Sequence, residues 1–190
     1  KGDVATIKRL LGHGANVDTP SANGWTPLKC AAHDGNLAIV KLLLEAGAGF
    51  NIADTTNYTP LMSAASQGRL DIVKLLLKSG AETNVQSTAG PDDDQSEIGR
   101  TALADAAASG NVAIARELLQ AGANPNLMNG NGFTALHSAV MSKKPEMVAT
   151  LLKAGSDPNV FGNQEAKRSA LDIAVFQWAK EDSPELVDKV

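Results

Sequence analysis

Apolar residues return along this chain at helical spacing. Leu37, Val40, Leu43 and Leu44 form one stripe, and Leu70, Val73, Leu76 and Leu77 rebuild it further on. Positions three and four apart share one face of an α-helix, so each stripe predicts a helix with a single greasy side. Ahead of each stripe stands a pair of small residues, Ala31-Ala32 and Ala64-Ala65, with Ala106-Ala107 later in the chain. These predict a second, thinner helix that a neighbour can approach closely. Thr26 sits where an N-cap belongs, and Pro27 follows at the first helical position, where its missing N–H costs nothing. Gly35, Gly68 and Gly110 separate the thin helix from the striped one, and Gly47, Gly80, Gly122 and Gly155 close the striped one. Glycine supplies the left-handed conformation that such ends require. Burying each Leu or Val stabilises by roughly 1.5–3 kcal/mol. One helix pair cannot close over its own stripe, so the core must be completed by the next pair.

The pairs repeat with a fixed period. Gly14, Gly47, Gly80, Gly122 and Gly155 step by 33, 33, 42 and 33 residues, and Thr26, Thr59, Thr101 and Thr134 take the steps 33, 42 and 33. Thr26-Pro27-Leu28, Thr59-Pro60-Leu61 and Thr134-Ala135-Leu136-His137 carry a Thr-Pro-Leu-His-like motif at that period. The period and motif together resemble the ankyrin repeat over essentially the whole chain. The expected fold is all-α, an ankyrin-repeat solenoid of stacked helix–turn–helix units joined by β-hairpin-like loops. The register gives one domain over 1–190: a partial repeat at 1–20, repeats at 21–53, 54–86, 96–128 and 129–161, and a degenerate or truncated last repeat at 162–190. The Asn-rich segments ending at Asn129-Gly130-Asn131-Gly132 suit the hairpin tips.

Three departures stand out. The step of 42 reflects an insertion at 87–95, rich in acid around Asp92-Asp93-Asp94, which is expected to be a long acidic, mobile finger at a hairpin tip. Lys143 stands where the other units have the inter-helix glycine. A non-glycine residue held left-handed costs roughly 1–2 kcal/mol, so that turn must be strained or rearranged. The last unit carries extra residues before Ser169 and around Lys180–Ser183, and its second helix is expected to be incomplete.

Composition narrows the function. Of 190 residues 43% are hydrophobic and only 4% aromatic, so the interior is aliphatic. The net charge of −4 lacks the basic footprint that nucleic-acid binding needs. No apolar run approaches the roughly 20 residues that span a bilayer. Cys30 is the single cysteine, which excludes an intrachain disulfide and fits a reducing compartment; beside Ala31 it reads as a small buried filler.

Nothing in the sequence assembles a catalytic or metal constellation. His13, His33 and His137 fall at different places in the repeat, without the spacing of metal or catalytic motifs. His137 occupies the motif histidine and is expected to hydrogen-bond structurally. Asp92-Asp93-Asp94 lacks the glycine and distal glutamate of a calcium loop. No enzyme activity, cofactor or metal is expected.

The resemblance implies instead a protein–protein interaction module, a scaffold or adaptor that binds another protein with its hairpin tips and the exposed side of its first helices. The alternative is a regulatory or targeting segment of a larger enzyme, channel or secreted effector. By register, the residue before each motif Thr is Trp25, Tyr58, Arg100, Phe133 and, in the last unit, Arg168. Aromatic and Arg side chains dominate binding hot spots, although aromatics at this place can also pack flat on the adjoining hairpin. At the ends of the first helices the register selects His33, Asp34, Gln67 and Met141. The resemblance also points to hydroxylation at Asn51, Asn84, Asn126 and Asn159; the plainer reading is that these asparagines hydrogen-bond the loops. The expected setting is the cytoplasm, extending to the nucleus or, for a bacterial effector, a host cell. The expected partner is a protein, with no nucleic acid and no membrane insertion, and the chain is expected to be monomeric by itself.

Overall fold

The computed structural model describes residues 4–88, 98–162 and 167–182, the last five of these as backbone helix. The paired-helix pattern is realised in four successive units. A lone helix, α1 (Val4–Gly12), comes first. The pairs α2 (Pro27–Asp34) with α3 (Leu37–Glu45), α4 (Pro60–Ser66) with α5 (Leu70–Lys78), α6 (Ala102–Ser109) with α7 (Val112–Gln120), and α8 (Ala135–Met141) with α9 (Pro145–Lys153) follow. A two-residue antiparallel pair, β1 (Phe161–Gly162) with β2 (Arg168–Ser169), leads into α10 (Ala170–Asp182).

Each first helix is opened by the threonine the motif supplies. Thr26, Thr59 and Thr101 accept the N–H groups of Lys29, Met62 and Ala104 at 3.2, 3.3 and 3.1 Å, satisfying donors a helix start would leave bare. At the turn into the second helix Gly35 has φ +84° and Gly110 φ +75°, and Lys143 holds the same left-handed region at φ +54°. The fourth turn is thus strained rather than rearranged.

The helices form two rows. First helices pack in sequence, α2 on α4, α6, α8 and α10, and second helices likewise, α1 on α3, α5, α7 and α9. The alanine pairs make the first row possible: Ala31, Ala32, Ala64, Ala65, Ala106 and Ala107 are all buried. In the second row the buried face is turned slightly from the expected stripe. Ile39, Val40 and Leu43 are buried in α3, whereas Leu37 and Leu44 are only partly covered. Ile39 therefore belongs to the buried face although it lies outside the stripe of Leu37, Val40, Leu43 and Leu44. Ile72 and Ile114 repeat this placement, and Met147 takes it in α9.

The loops between pairs close by one recurrent device. A polar side chain at the start of the turn caps the N–H of the residue before the threonine: Ser21 for Trp25 (3.2 Å), Asp54 for Tyr58 (2.9 Å), Ser87 for Arg100 (2.9 Å) and Asn129 for Phe133 (2.8 Å). In the third case the clasp closes over the insertion, for Ser87 N–H also donates to the Arg100 carbonyl (3.0 Å) and Gly99 N–H to the Ser87 carbonyl (2.8 Å). The expected acidic finger around Asp92-Asp93-Asp94 lies outside the described residues, as does the end of the expected degenerate or truncated last repeat, from 183 on. Adjacent loops are then tied through Thr88 N–H to the Thr56 carbonyl (2.8 Å) and Gly130 N–H to the Ile98 carbonyl (2.7 Å).

Candidate interaction surface

The first helices and the loop ends that precede them carry the residues the register selected. Trp25 is half-buried, its ring centroid 5.3 Å from that of His33, two turns further along the same unit. His33 Nδ1 lies 3.2 Å from Asp34, which is exposed. Arg168 repeats this arrangement in the last unit, with its guanidinium 4.6 Å from the centroid of Phe176. The side chain before the threonine therefore lies along its own first helix in both end units. Gln67 is exposed, and so are Met141 (47%) and Phe176 (40%). Arg168 is exposed as well.

Between these ends the strip is anchored by buried charge. Lys29 is 1% exposed, ion-paired to Asp54, whose side chain is 8% exposed. Its ammonium lies 4.6 Å from the Trp25 ring centroid and 5.0 Å from that of Tyr58, so two aromatic faces share the desolvated cation. Burial lowers the Lys29 pKa, opposed by Asp54. Burial alone would raise the Asp54 carboxyl, but the ammonium and the donors of Tyr58 and Thr56 hold it below the usual carboxylate range. Tyr58 reaches across to the next unit and donates its hydroxyl to Asp105; burial, then the Asp105 carboxylate, push its pKa well up. Arg100 Nε donates to the other Asp105 oxygen at 2.9 Å. Asp105 is itself buried. Trp25, Tyr58 and Arg100 are thus one connected system rather than three separate side chains.

Phe133 belongs to a different arrangement. Its ring packs 5.3 Å from His137 and against Gly162, where a Cβ would fall 1.9 Å from the ring edge. His137 completes a capping box: Thr134 N–H donates to its Nδ1 at 3.1 Å. Accepting at Nδ1 assigns the imidazole proton to Nε2. That atom is buried without a hydrogen bond of normal geometry, so burial lowers the pKa, offset only in part by the backbone of Arg168 and Val160.

The asparagines act as loop-to-loop bridges. Asn51 accepts from Glu82 N–H (3.0 Å), Asn84 from Asn124 N–H (2.8 Å) and Asn126 from Asp157 N–H (2.8 Å). Asp18 does the same for Gly49 N–H at 3.0 Å. Three of the four asparagines thus hydrogen-bond a neighbouring loop through their side chains. Asn159 N–H donates to Asp157 at 2.8 Å instead.

Two readings of the sequence need amendment. Cys30 is exposed, not a buried filler; with Ala31 it lines the open apolar cavity beside α1. Lys29, Asp54 and Asp105 were passed over as candidates. Lys29 had a signal, since it stands in the register place of the motif histidine, and Asp54 had one as the turn-capping residue. Asp105 had none, because a single acid on a helix reads as solvated surface.

Among the described residues no three His, Cys, Asp or Glu side chains gather to hold a metal, and no helix is long and apolar enough to cross a membrane. The sequence model of the family described as ankyrin repeats (3 copies) matches residues 1–87 and again 88–161. No curated protein matches the chain.

Proposed function

Because the chain belongs to the ankyrin-repeat family, whose domains are generally protein–protein interaction modules and typically non-catalytic, we propose that it is a scaffold or adaptor. It binds another protein along the strip formed by its first-helix ends and loop ends. The supporting observation is a contrast at matched register. Leu28, Leu61, Leu103 and Leu136 are the same residue, each at most 1% exposed. The helix-end position on the same helices changes from His33 through Ser66 and Ala108 to Met141 and, in α10, Phe176. A constant core beneath a varied rim gives a rigid frame with a contact surface specific to this chain. The packing of Trp25, Tyr58, Arg100 and Phe133 fixes that frame, so contact falls to the side chains left exposed beside them: Asp34, Gln67, Met141, Arg168 and Phe176.

The test is capture of binding partners by the intact chain and by a Met141→Ser/Phe176→Ser variant. Truncating exposed anchors of this kind costs about 1.4 kcal/mol or more, a tenfold loss of affinity. The variant should retain the melting temperature and lose the captured partner. Undiminished capture by the variant rejects this surface.

A further inference from the structure

The loops contain three Asn-Gly pairs, Asn23-Gly24, Asn129-Gly130 and Asn131-Gly132, none of them among the side chains assigned to the contact strip. Such a pair is chemically labile in water, because no Cβ shields the glycine nitrogen from the asparagine side chain before it. A bond forms between that nitrogen and the asparagine Cγ, the bond from Cγ to the side-chain nitrogen breaks, and ammonia leaves with the proton the glycine gives up. Water then opens the cyclic imide to aspartate or isoaspartate. The carboxamide must turn forward onto the next nitrogen, so hydrogen bonds that hold it elsewhere suppress the reaction.

The three pairs are held to different degrees. Asn129 is fixed: its side-chain oxygen accepts from Asn131 N–H (3.0 Å) and Phe133 N–H (2.8 Å), while Gly130 N–H donates to the Ile98 carbonyl at 2.7 Å. Asn23 and Asn131 share one register place, ahead of Thr26 and Thr134. The glycines that follow them are both left-handed, at φ +79° and +77°. Their N–H groups donate alike, Gly24 to the Ser21 carbonyl at 2.9 Å and Gly132 to the Asn129 carbonyl at 2.8 Å. The side chains differ. Ser21 caps its turn with a hydroxyl, which donates to the Asn23 side-chain oxygen and turns that carboxamide back, away from Gly24. The Thr55 hydroxyl also donates to the Asn23 carbonyl at 3.3 Å, and the Thr55 nitrogen would lie 2.9 Å from a Cβ on Gly24, so the neighbouring loop pins this backbone. Asn129 caps its turn through an oxygen that can only accept, and the Asn131 side chain makes no hydrogen bond among the described residues.

We propose that Asn131 is a site of spontaneous deamidation, reacting ahead of Asn23 and Asn129. The product places a carboxylate in the turn beside Phe133. As isoaspartate it also adds a methylene to the backbone between the two N–H groups that Asn129 clasps. The Phe133 end of the strip therefore ages in water before the Trp25 end does.

The test holds the folded 190-residue chain in mildly alkaline buffer, well below its melting temperature, and follows each Asn-Gly pair by peptide mapping. Fragment ions assign the modified residue and separate isoaspartate from aspartate, and the same chain in concentrated urea supplies the unfolded rate for each pair. Opening one neutral hydrogen bond slows a step about fivefold. Relative to its own unfolded rate, Asn131 should thus react at least about fivefold faster than Asn23, and Asn129 should be the slowest. Asn23 or Asn129 level with or ahead of Asn131 in the folded chain overturns the proposal. An Asn131 that stays intact in the fold while the unfolded chain deamidates there overturns it as well.

Discussion

The same register position is solved in two opposite ways at the two ends of the strip. At Lys29 the place is taken by a cation, buried to 1% exposure and held by Asp54 beneath two aromatic rings. At His137 it is taken by a neutral imidazole that caps its helix and packs beneath Phe133. The first solution is stiff only while the carboxylate is present, since the buried ammonium depends on Asp54, whereas Asp54 is also held by Thr56 and Tyr58. The second has no ion pair among the described residues and is sensitive to gaining a proton. Equivalent geometry has therefore been reached with unlike electrostatics, and the two ends should fail under different insults.

The sharpest way to break the comparison is Asp54→Ala. It strands the buried ammonium and removes the turn cap, and should cost about 3–5 kcal/mol in urea unfolding. Lys29→Met, which installs the residue found at Met62, should cost far less, because Asp54 keeps its bonds from Thr56 and Tyr58. Equal losses from the two substitutions would show that the ion pair is not what matters there. Next in size is Gly162→Ala. Its Cβ would intrude on the Phe133 ring, and overpacking of this kind costs about 1–3 kcal/mol; calorimetric melting of the variant should show a loss that Phe133→Leu partly restores.

The smallest effect is the dependence on pH. The His137 pKa is lowered in the fold, so its stabilising contribution is complete above the unfolded value near 6.5 and is lost as pH falls through the folded value. The Asp54 pKa is also lowered, but from the carboxylate range, so its contribution persists until the pH drops below about 4. Unfolding free energies between pH 7.5 and 5 should therefore decline less steeply in His137→Gln than in the parent. An unchanged slope would remove His137 from the account.

The repeating parts of the fold were open to reading in the sequence because they are local and periodic. Thr26, Thr59 and Thr101 cap, Gly35 and Gly110 turn, and the alanine pairs thin the first row, each by chemistry contained within a few residues. The exact facing of the second helices was less legible, since Ile39 and Leu44 differ only in how far neighbouring helices cover them. The strip was half legible. Register located Trp25, Tyr58, Arg100 and Phe133, but not the partners that tie them down. Asp105 meets Tyr58 from 47 residues away, a distance at which no spacing rule operates. The exposure of Cys30 escaped for the same reason, because it depends on how other elements pack around α2 rather than on spacing along the chain.

The clasp between Ser87 and Arg100 carries a consequence for how this architecture can diversify. The turn is sealed at its base by three hydrogen bonds, which hold Ser87 beside Arg100 across the residues inserted between them. Doubling the length of such an excursion adds only about 0.6 kcal/mol of closure entropy. The site is a docking port in the backbone itself: foreign segments could be spliced in and exchanged while the neighbouring repeats keep their shape.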